Sequence, residues 1–147
     1  ACLTNDGAAF VIVCSPVYTC RYGLQPAVTI RGVASCGVDP LLSPIGAVQA
    51  AEAALTQCGL RGEDIDVFEV NEAFALIGEL FARRFPRCAA AYNPFGGALA
   101  YGHPYGATGA ILLLHAIEGL RARDGMLGCC SIAGAGGLGK AMIIERV

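Results

Sequence analysis

The segment from about Tyr105 to Arg123 restricts most strongly how this chain can fold, because its helical pattern has no polar face before its charged end. It contains the run ATGAILLLHAIEGL, and a helix that is apolar on nearly every side has to be buried inside a layered structure. We therefore expect further layers on both sides of this helix. A chain of 147 residues is short for supplying all of them, so we expect it to be completed by another segment or another chain.

Composition supports the same expectation. Hydrophobic residues make up 55% of the chain and charged residues only 15%, so some apolar surface is expected to be covered by a partner. The net charge is −2 and the basic residues are scattered, which argues against nucleic acid binding. The start ACLTND lacks the pattern of a secretion signal, and no apolar run is long enough for a membrane span, so we expect neither.

The spacing of the eight cysteines argues against a metal site and against a disulfide framework. No C-x-x-C pair occurs and no cysteine lies at a zinc-type distance from a histidine, so a cysteine-based metal or redox protein has no support. Most of the cysteines lie among alanine, valine and isoleucine, where cysteine behaves as a small apolar residue. This favours a reducing intracellular compartment (cytoplasm, mitochondrion or peroxisome) over secretion.

Strand-like and helix-like segments alternate along the chain, which predicts an α/β layered fold. Continuous β-rich runs predict strands over residues 5–14, 27–34, 67–70, 88–92, 125–132 and 140–147. Helical patterns cover residues 47–58, 71–85 and 105–123, and residues 15–25 are predicted to be a connector. Gly59 is the expected stop of the first of these helices.

The second helical pattern begins at a polar residue with two potential roles. Asn71 follows the strand over 67–70, where it can cap the helix, and Glu72 is expected in the first turn, where its charge is favourable. Phe74 belongs to an apolar stripe at helical spacing and can therefore be a core residue. An asparagine at a strand-to-helix junction can also face a pocket, so both roles of Asn71 stay open.

One of the two histidines lies in the glycine-rich stretch GGALAYGHPYGATGA, over residues 96–110. His103 stands between Gly102 and Pro104; glycine lets the backbone approach a ligand closely, and histidine titrates near neutrality. A hydrogen-bonded histidine of the core would also fit beside an apolar helix. Five glycines in fifteen residues indicate a closely approached backbone, which is typical of a catalytic or binding site.

Three motifs together resemble the C-terminal half of a thiolase: NEAFA at 71–75, NPFGGALAYGHPYGATGA at 93–110, and the ending GAGGLGKAMIIERV after Cys129 and Cys130. NDGAA and GVDP, nearer the start, add to the resemblance. The resemblance implies an α/β thiolase-like βαβαβαββ half, a layered sheet with a buried central helix that is normally part of a five-layer αβαβα sandwich. It also implies that residues 1–26 are the last strand of the N-terminal half plus a connector, and that residues 27–147 are the C-terminal thiolase domain.

The resemblance carries site roles onto this chain residue by residue. His103 matches the histidine that takes the proton of a nucleophilic cysteine and then helps to hold the thioester oxygen. Asn71 matches the residue that positions a water in that oxyanion site, and Ala73 and Phe74 match positions that line the pantetheine end of the coenzyme A tunnel. Coenzyme A is implied as a substrate, with no permanently bound cofactor and no metal.

The second cysteine of the family, a general acid and base that opens a C-x-G motif, can be placed in two ways. Counting forward from Gly125 assigns it to Cys130, and counting backward from the ending KAMIIERV assigns it to Ala133. A three-residue insertion in the glycine loop would reconcile the two, with Gly134 serving the second oxyanion hole. Cys130 is the catalytic candidate, against its burial as an inert thiol.

The predicted function is that of the C-terminal catalytic half of a thiolase, with acyl transfer between a thioester and coenzyme A by 3-ketoacyl-CoA thiolysis or acetyl-CoA condensation. The half that bears the nucleophilic cysteine is expected to be absent from this chain, so the chain alone is predicted to be inactive. The expected partners are acyl-CoA, an N-terminal thiolase half or subunit, and further copies in a homo-oligomer. The alternative is a non-catalytic thiolase-like scaffold or partner subunit that binds acyl-CoA or protein.

Overall fold

A four-stranded mixed sheet forms the centre of the computed structural model, which describes residues 1–147. Its strands are β1 (Val28–Gly37), β2 (Val67–Val70), β3 (Leu127–Gly134) and β4 (Leu138–Arg146). The helices are α1 (Pro16–Tyr22), α2 (Ile45–Cys58), α3 (Ala75–Arg84), α4 (Ala98–Tyr101) and α5 (Thr108–Arg123). The strand order is β1-β4-β3-β2; β4 is antiparallel to both of its neighbours, and β2 is parallel to β3.

Helices cover both faces of the sheet, because successive side chains of a strand point to opposite faces. In β4, Ala141 and Ile143 pack with α2 and α3, whereas Ile144 packs with α5. In β3 the adjacent Cys129 and Cys130 divide between the two faces in the same way. The chain is therefore a three-layer α/β structure, and the predicted fold class is confirmed.

Helix α5 packs on the sheet with one face. Leu112, Ala116 and Leu120 are buried against β2 and β3, and each buried leucine stabilises the fold by about 1.5–3 kcal/mol. On the opposite face Leu114 is 39% exposed. The chain thus covers one side of the helix that the sequence predicts to be buried all round. None of the helices combines the length and apolar character that crossing a membrane requires.

Helix α2 ends at Gly59, as predicted. The Gly59 backbone is left-handed, with φ 68°, and its N–H donates to the carbonyl groups of Leu55 and Thr56. At the other end, the helix approaches β4 so closely that a Cβ at Gly46 would lie 2.7 Å from the carbonyl oxygen of Leu138. Glycine at this position therefore lets the helix pack directly on the backbone of the sheet.

The N-terminal segment differs from its prediction. Residues 5–14, predicted to be a strand, have no regular secondary structure, and Phe10 and Ile12 are largely exposed. The β-rich run has no strand alongside it in this chain, and a lone strand leaves its backbone N–H and C=O groups unpaired. The predicted connector contains helix α1, which is capped by Ser15, whose Oγ accepts from the N–H of Tyr18 at 3.2 Å. The division of the chain at residue 26 stays a prediction.

The predicted strand over residues 88–92 is reduced to a single bridge. Ala89–Ala91 form a 3₁₀ turn, and Tyr92 pairs in parallel with Phe68 of β2. The backbone of Asn93 then turns away from the sheet, with φ 38°. A left-handed residue cannot continue a strand, so the third strand of the implied βαβαβαββ order is one residue long here.

Candidate active site

His103 lies in the connection between α4 and α5 and is buried there. Gly102 has φ 94°, a conformation that favours glycine, and it turns the chain toward the core. The His103 N–H donates to the carbonyl oxygen of Leu3 at 2.8 Å, which ties this connection to the N-terminal segment. Only 9% of the histidine remains exposed. The histidine that the sequence singles out is therefore held on both sides.

Both nitrogen atoms of the His103 ring have partners. Nδ1 lies 2.7 Å from Oγ1 of Thr108, the first residue of α5, and Nε2 lies 3.4 Å from Nδ2 of Asn71. The Asn71 amide nitrogen can only donate, so Nε2 accepts, and the proton of the neutral ring is on Nδ1, which donates to Thr108. This tautomer leaves the lone pair on Nε2, as a general base requires.

Burial keeps the His103 ring neutral. Desolvation lowers the pKa of His103 below its ordinary value, since the surrounding protein disfavours the charged imidazolium. The ring of Tyr105 packs against the imidazole with 4.8 Å between the centroids and is largely exposed. Tyr105 has φ 28°, a strained conformation for a residue other than glycine. No sequence pattern marks Tyr105 as part of the site, because its position depends on this strained turn.

Asn71 continues the sheet instead of capping a helix. Its N–H donates to the carbonyl oxygen of Ser131 in β3 at 2.9 Å, and α3 begins only at Ala75, with Phe74 at the N-cap position. The predicted capping role is therefore wrong, because this ladder hydrogen bond keeps the backbone extended. The side chain is buried, and its Oδ1 accepts no hydrogen bond from the protein. A buried amide oxygen of this kind is suited to accept from a water or a ligand.

Glu72, the residue after Asn71, is hydrogen-bonded to α4. It precedes α3, so the prediction that it lies in the first helical turn is wrong. Its Oε1 accepts from the hydroxyl of Tyr92 at 2.9 Å, and its Oε2 accepts from the N–H of Leu99 at 3.3 Å. A Cβ at Gly97 would overlap the Glu72 carboxylate, so this contact requires glycine. Glu72 thus links the end of β2 to the segment that leads into the histidine loop.

Asn93 holds the last residue of β2. Its Oδ1 accepts from the N–H of Val70 at 2.8 Å and its Nδ2 donates to the carbonyl oxygen of Val70 at 3.0 Å, as a neighbouring strand would. Its own N–H donates to the carbonyl oxygen of Phe68 at 2.7 Å. Because Asn71 follows Val70 directly, Asn93 positions the site. The Asn-Pro dipeptide marks a turn in the sequence but gives no hint of this pairing.

Ala73 and Phe74 lie between β2 and α3. The Ala73 carbonyl oxygen accepts from the N–H of Cys2 at 3.1 Å. Phe74 is 49% exposed, so its interpretation as a core residue is wrong; Ile77 and Phe81 are the members of that stripe that are buried. The reason is that Phe74 precedes the helix and is therefore outside its apolar face. Its ring is accessible to a ligand.

Cys130 is buried beneath α5 and makes no hydrogen bond to His103. Its thiol donates to the carbonyl oxygen of Leu112 at 3.6 Å and packs in the apolar cluster between α5 and the sheet. Burial raises the pKa of the Cys130 thiol well above its ordinary value, and the neighbouring Cys129 and Glu69 add to the shift. The structure thus brings Asn71 to His103 but not Cys130, whose thiol is a poor acid or base near neutral pH.

A short turn joins β3 and β4. The two strands pair in one unbroken register up to Gly134 opposite Leu138, and residues 135–137 make the turn. The expected three-residue insertion relative to the family stays a prediction, since the pairing describes only how Ala133 and Gly134 lie in this chain. Ala133 and Gly134 follow Ser131, whose carbonyl oxygen accepts from Asn71. They therefore lie at the carboxyl end of β3, the same end of the sheet at which Asn71 follows β2.

The arrangement supports proton transfer at Nε2 of His103, beside the Asn71 amide. No group of three or more His, Cys, Asp or Glu side chains converges on one point, and all eight cysteines are free thiols. A neutral, buried imidazole beside the carboxyl end of β2 is an arrangement suited to acid–base chemistry in an α/β protein. The family model described as "Thiolase, C-terminal domain" matches residues 24–146. The chain belongs to the thiolase family, and the resemblance of its three motifs is confirmed.

The relatives are similar over nearly the whole of this chain. The 3-oxoadipyl-CoA/3-oxo-5,6-dehydrosuberyl-CoA thiolase of Escherichia coli (strain K12) is 43% identical over 145 residues, which are 97% of this chain and 36% of that protein. The crystal structures of the Bacillus anthracis acetyl-CoA acetyltransferase and of human mitochondrial 3-ketoacyl-CoA thiolase both superpose with a TM-score of 0.86, at 33% and 35% identity. Each superposition covers 90% of this chain and 34% of the other chain, so this chain spans about a third of the length of these relatives.

Proposed function

We propose that this chain is the C-terminal catalytic half of a thiolase, contributing a base and an oxyanion-holding residue to acyl transfer between a thioester and coenzyme A. The observation that carries the proposal is the position of His103, held by Thr108 at 2.7 Å and beside Asn71 at 3.4 Å. The relatives named above act on CoA thioesters, as a 3-ketoacyl-CoA thiolase and as an acetyl-CoA acetyltransferase. Thiolysis of a 3-ketoacyl-CoA and condensation of acetyl-CoA both belong to the proposal.

In the proposed first step of condensation, a proton moves to His103. A cysteine thiol of the N-terminal thiolase half transfers its proton to Nε2, and the thiolate attacks the carbonyl carbon of acetyl-CoA. The carbonyl electron pair moves to oxygen, where the protonated His103 and a water held by Asn71 donate hydrogen bonds. Collapse of this intermediate leaves the acyl group on the cysteine and releases coenzyme A as a thiol, with the proton that His103 had received.

Coenzyme A enters this proposal as a substrate, and no permanently bound cofactor is proposed. Ala73 and Phe74 are the proposed contacts to its pantetheine end, and the exposed ring of Phe74 supports this role. An N-terminal thiolase half and further copies of the same protein are the proposed partners. A reducing intracellular compartment is proposed as well; the free thiols support it, and one relative is mitochondrial.

The position that the second cysteine has in the family is proposed to lie at the end of β3, where this chain has Ala133, which cannot transfer a proton. The sequence predicts Cys130 for this role, but its burial beneath α5 favours an inert thiol. Ala133 lies toward the sheet edge that bears Asn71, and the backward count along the sequence also selects it. Gly134, next to Ala133, stays the candidate for the second oxyanion hole.

The absence of a thiol at Ala133 suggests a second candidate function. A thiolase fold without a thiol at the second position would be a non-catalytic scaffold or partner subunit that binds acyl-CoA or protein. The observation that favours it is the burial of Cys130, the only candidate thiol among the proposed site residues.

A chimera tests the first candidate. This chain replaces the matching C-terminal residues of the E. coli 3-oxoadipyl-CoA thiolase, whose remaining residues supply the other half, and the CoA-dependent cleavage of acetoacetyl-CoA is measured. We expect turnover that falls by at least about 100-fold in His103→Gln. Gln57→Glu, at the exposed end of α2, is the matched control and should keep full turnover. The chain by itself is expected to show no thiolysis, and a folded chimera without turnover contradicts the proposal.

Two further variants of the chimera separate the candidates. Turnover that rises with Ala133→Cys and is unchanged in Cys130→Ala would place the second acid at the end of β3. Loss of turnover in Cys130→Ala would instead make Cys130 catalytic. Binding of coenzyme A without turnover in every variant would identify the scaffold.

A further inference from the structure

A polar cluster of the buried Glu69 and the half-buried Tyr101 and His115 lies between β2, α4 and α5, and the proposed reaction does not use it. Glu69 is 0% exposed, and neither of its carboxyl oxygens has a hydrogen-bond partner in the protein. The hydroxyl of Tyr101 and Nδ1 of His115 are also buried and unpaired. Each buried polar group left unpaired costs about 1–3 kcal/mol, so three such groups in one place require a physical explanation.

His115 lies beside both other members of the cluster. Nδ1 of His115 lies 3.8 Å from Oε2 of Glu69, which is beyond hydrogen-bond distance. The rings of Tyr101 and His115 meet edge-on, with 5.1 Å between the centroids. Burial and then the nearby Glu69 carboxyl raise the pKa of Tyr101 to about 12, so the tyrosine lies within electrostatic reach of the glutamate. Internal water can bridge buried polar atoms that lie too far apart for a direct hydrogen bond.

The cluster shares its three elements with the His103 site. Glu69 precedes Asn71 by two residues at the end of β2, and Tyr101 precedes His103 by two residues. His115 lies about two turns of α5 beyond the threonine that bonds the His103 ring, so both are on one side of that helix. Each member of the cluster is therefore on the same element or segment as His103 or one of its two hydrogen-bond partners.

We propose that Glu69, Tyr101 and His115 bind buried water and act as positioning residues for His103. The bridged cluster joins β2, α4 and α5 and fixes the spacing between the segments that bear the site. A neutral carboxyl donates one hydrogen bond and accepts others, a hydroxyl does both, and Nδ1 of a neutral imidazole does one or the other. Water between them can reach the two to four partners that a buried water requires. This role concerns the geometry of His103 and stands apart from acyl transfer.

The surroundings keep Glu69 in its neutral form. Burial, and then repulsion by Glu72, raise the pKa of Glu69 to about 8. The titratable groups that face it are His115 from α5, Tyr101 from α4, Cys130 from β3, and Tyr92 and Glu72 from the adjoining loops. No lysine or arginine is among them, so no permanent cation stabilises the carboxylate. Glu69 is therefore available as a hydrogen-bond donor at neutral pH.

Imidazole NMR on the full chain tests the proposal, because the chain has only two histidines and His115→Phe identifies the signal of the other. Glu69→Gln keeps a neutral side chain with a donor and an acceptor, whereas Glu69→Leu removes both. We expect His103 to titrate in Glu69→Gln as in the wild type, and its midpoint to move by about 0.5 pH unit or more in Glu69→Leu. An unchanged midpoint in a folded Glu69→Leu variant would overturn the positioning role. An equal shift in Glu69→Gln would also overturn it, since the His103 midpoint would then follow the charge of Glu69 and not its hydrogen bonds.

Tyr101→Phe answers the same question if Glu69→Leu does not fold, because it removes one oxygen and keeps the ring. We expect the His103 midpoint to shift in this variant, and water–protein NOEs to the cluster to be present in the wild type and lost. Tyr18→Phe, on the exposed helix α1, is the matched control and should change neither. A dry cluster in the wild type, with Glu69 bonded directly to His115, contradicts the proposal.

Discussion

Nδ1 of His103 lies 2.7 Å from Oγ1 of Thr108, so the proposed base is held by the first residue of helix α5. Thr108 is fully buried, and α5 packs along β2 and β3 through Leu112 and Leu120. This hydrogen bond and the contact with Asn71 together restrict rotation of the imidazole ring. The apolar helix therefore supplies rigidity to the glycine loop that precedes it in the sequence.

Thr108→Val is expected to release the ring of His103. With the hydroxyl removed, Nδ1 loses its acceptor, and the fraction of the Nε2–H tautomer should rise from minor to comparable with the other form. Long-range ¹⁵N NMR of the imidazole measures this fraction. Thr56→Val, at an exposed position of α2, is the control. A tautomer ratio equal to that of the wild type would show that the contact does not hold the ring in solution.

Asn71→Asp should raise the pKa of His103. A carboxylate in place of the amide lies 3.4 Å from Nε2 and favours the imidazolium, by about one pH unit or more, against the desolvation that lowers the pKa in the wild type. NMR titration of the imidazole gives the midpoint. Gln57→Glu adds the same charge far from the ring and should leave it unchanged. A midpoint that stays at the wild-type value speaks against the Asn71–His103 pair.

Gly97→Ala is expected to destabilise the segment that carries His103. The new Cβ would overlap the Glu72 carboxylate and lie 2.6 Å from Nδ2 of Asn93. The hydrogen bonds that these two side chains make to α4 and to the end of β2 would therefore have to break. We expect the free energy of unfolding in urea to fall by about 1–3 kcal/mol. Gly109→Ala, in α5 with no atom within 4 Å of the new Cβ, should be neutral or stabilising by up to about 1 kcal/mol. Equal effects of the two changes would contradict the packing described.

Cys130 should resist alkylation in the folded chain. It is buried and its thiol pKa is raised well above the ordinary value, so few molecules present a reachable thiolate. With iodoacetamide at pH 8 and mass spectrometry, the exposed Cys20 should be modified at least about ten times faster. The difference should vanish in urea. Rapid labelling of Cys130 in the folded chain would reopen its candidacy as the second acid.

Stability should decline with pH because of Glu69. Its pKa rises from 4.5 to about 8 on folding, so the folded chain keeps a proton that the unfolded chain has lost. The contribution of this proton to the free energy of unfolding is complete below pH 4.5 and is lost as the pH rises to about 8. The free energy of unfolding falls by up to about 1.4 kcal/mol per pH unit in this range. The lowered pKa of His103 has the opposite effect on stability: at a pH below the ordinary pKa of histidine, it makes the free energy of unfolding rise with pH. Urea unfolding from pH 5 to 9 should show a shallower decline in Glu69→Gln than in the wild type, and parallel curves would contradict the assignment.

Local patterns in the sequence determined the class of the fold and the candidate base of the site. The apolar run of α5, the helix that stops at Gly59 and the glycine-flanked His103 are all readable without the structure, because each depends on residues close together in the chain. The motifs around Asn71 and His103 then sufficed to indicate the family.

What only the tertiary structure decided is how distant residues meet. Asn71 is extended because its hydrogen-bond partner, Ser131, is on another strand, and the same unbroken ladder places Cys130 under α5 and Ala133 near the sheet edge. The β-rich run over residues 5–14 forms no strand for the related reason that no strand lies beside it here. Propensity shows what a segment can form, but hydrogen bonds and burial between elements far apart in sequence select what it does form.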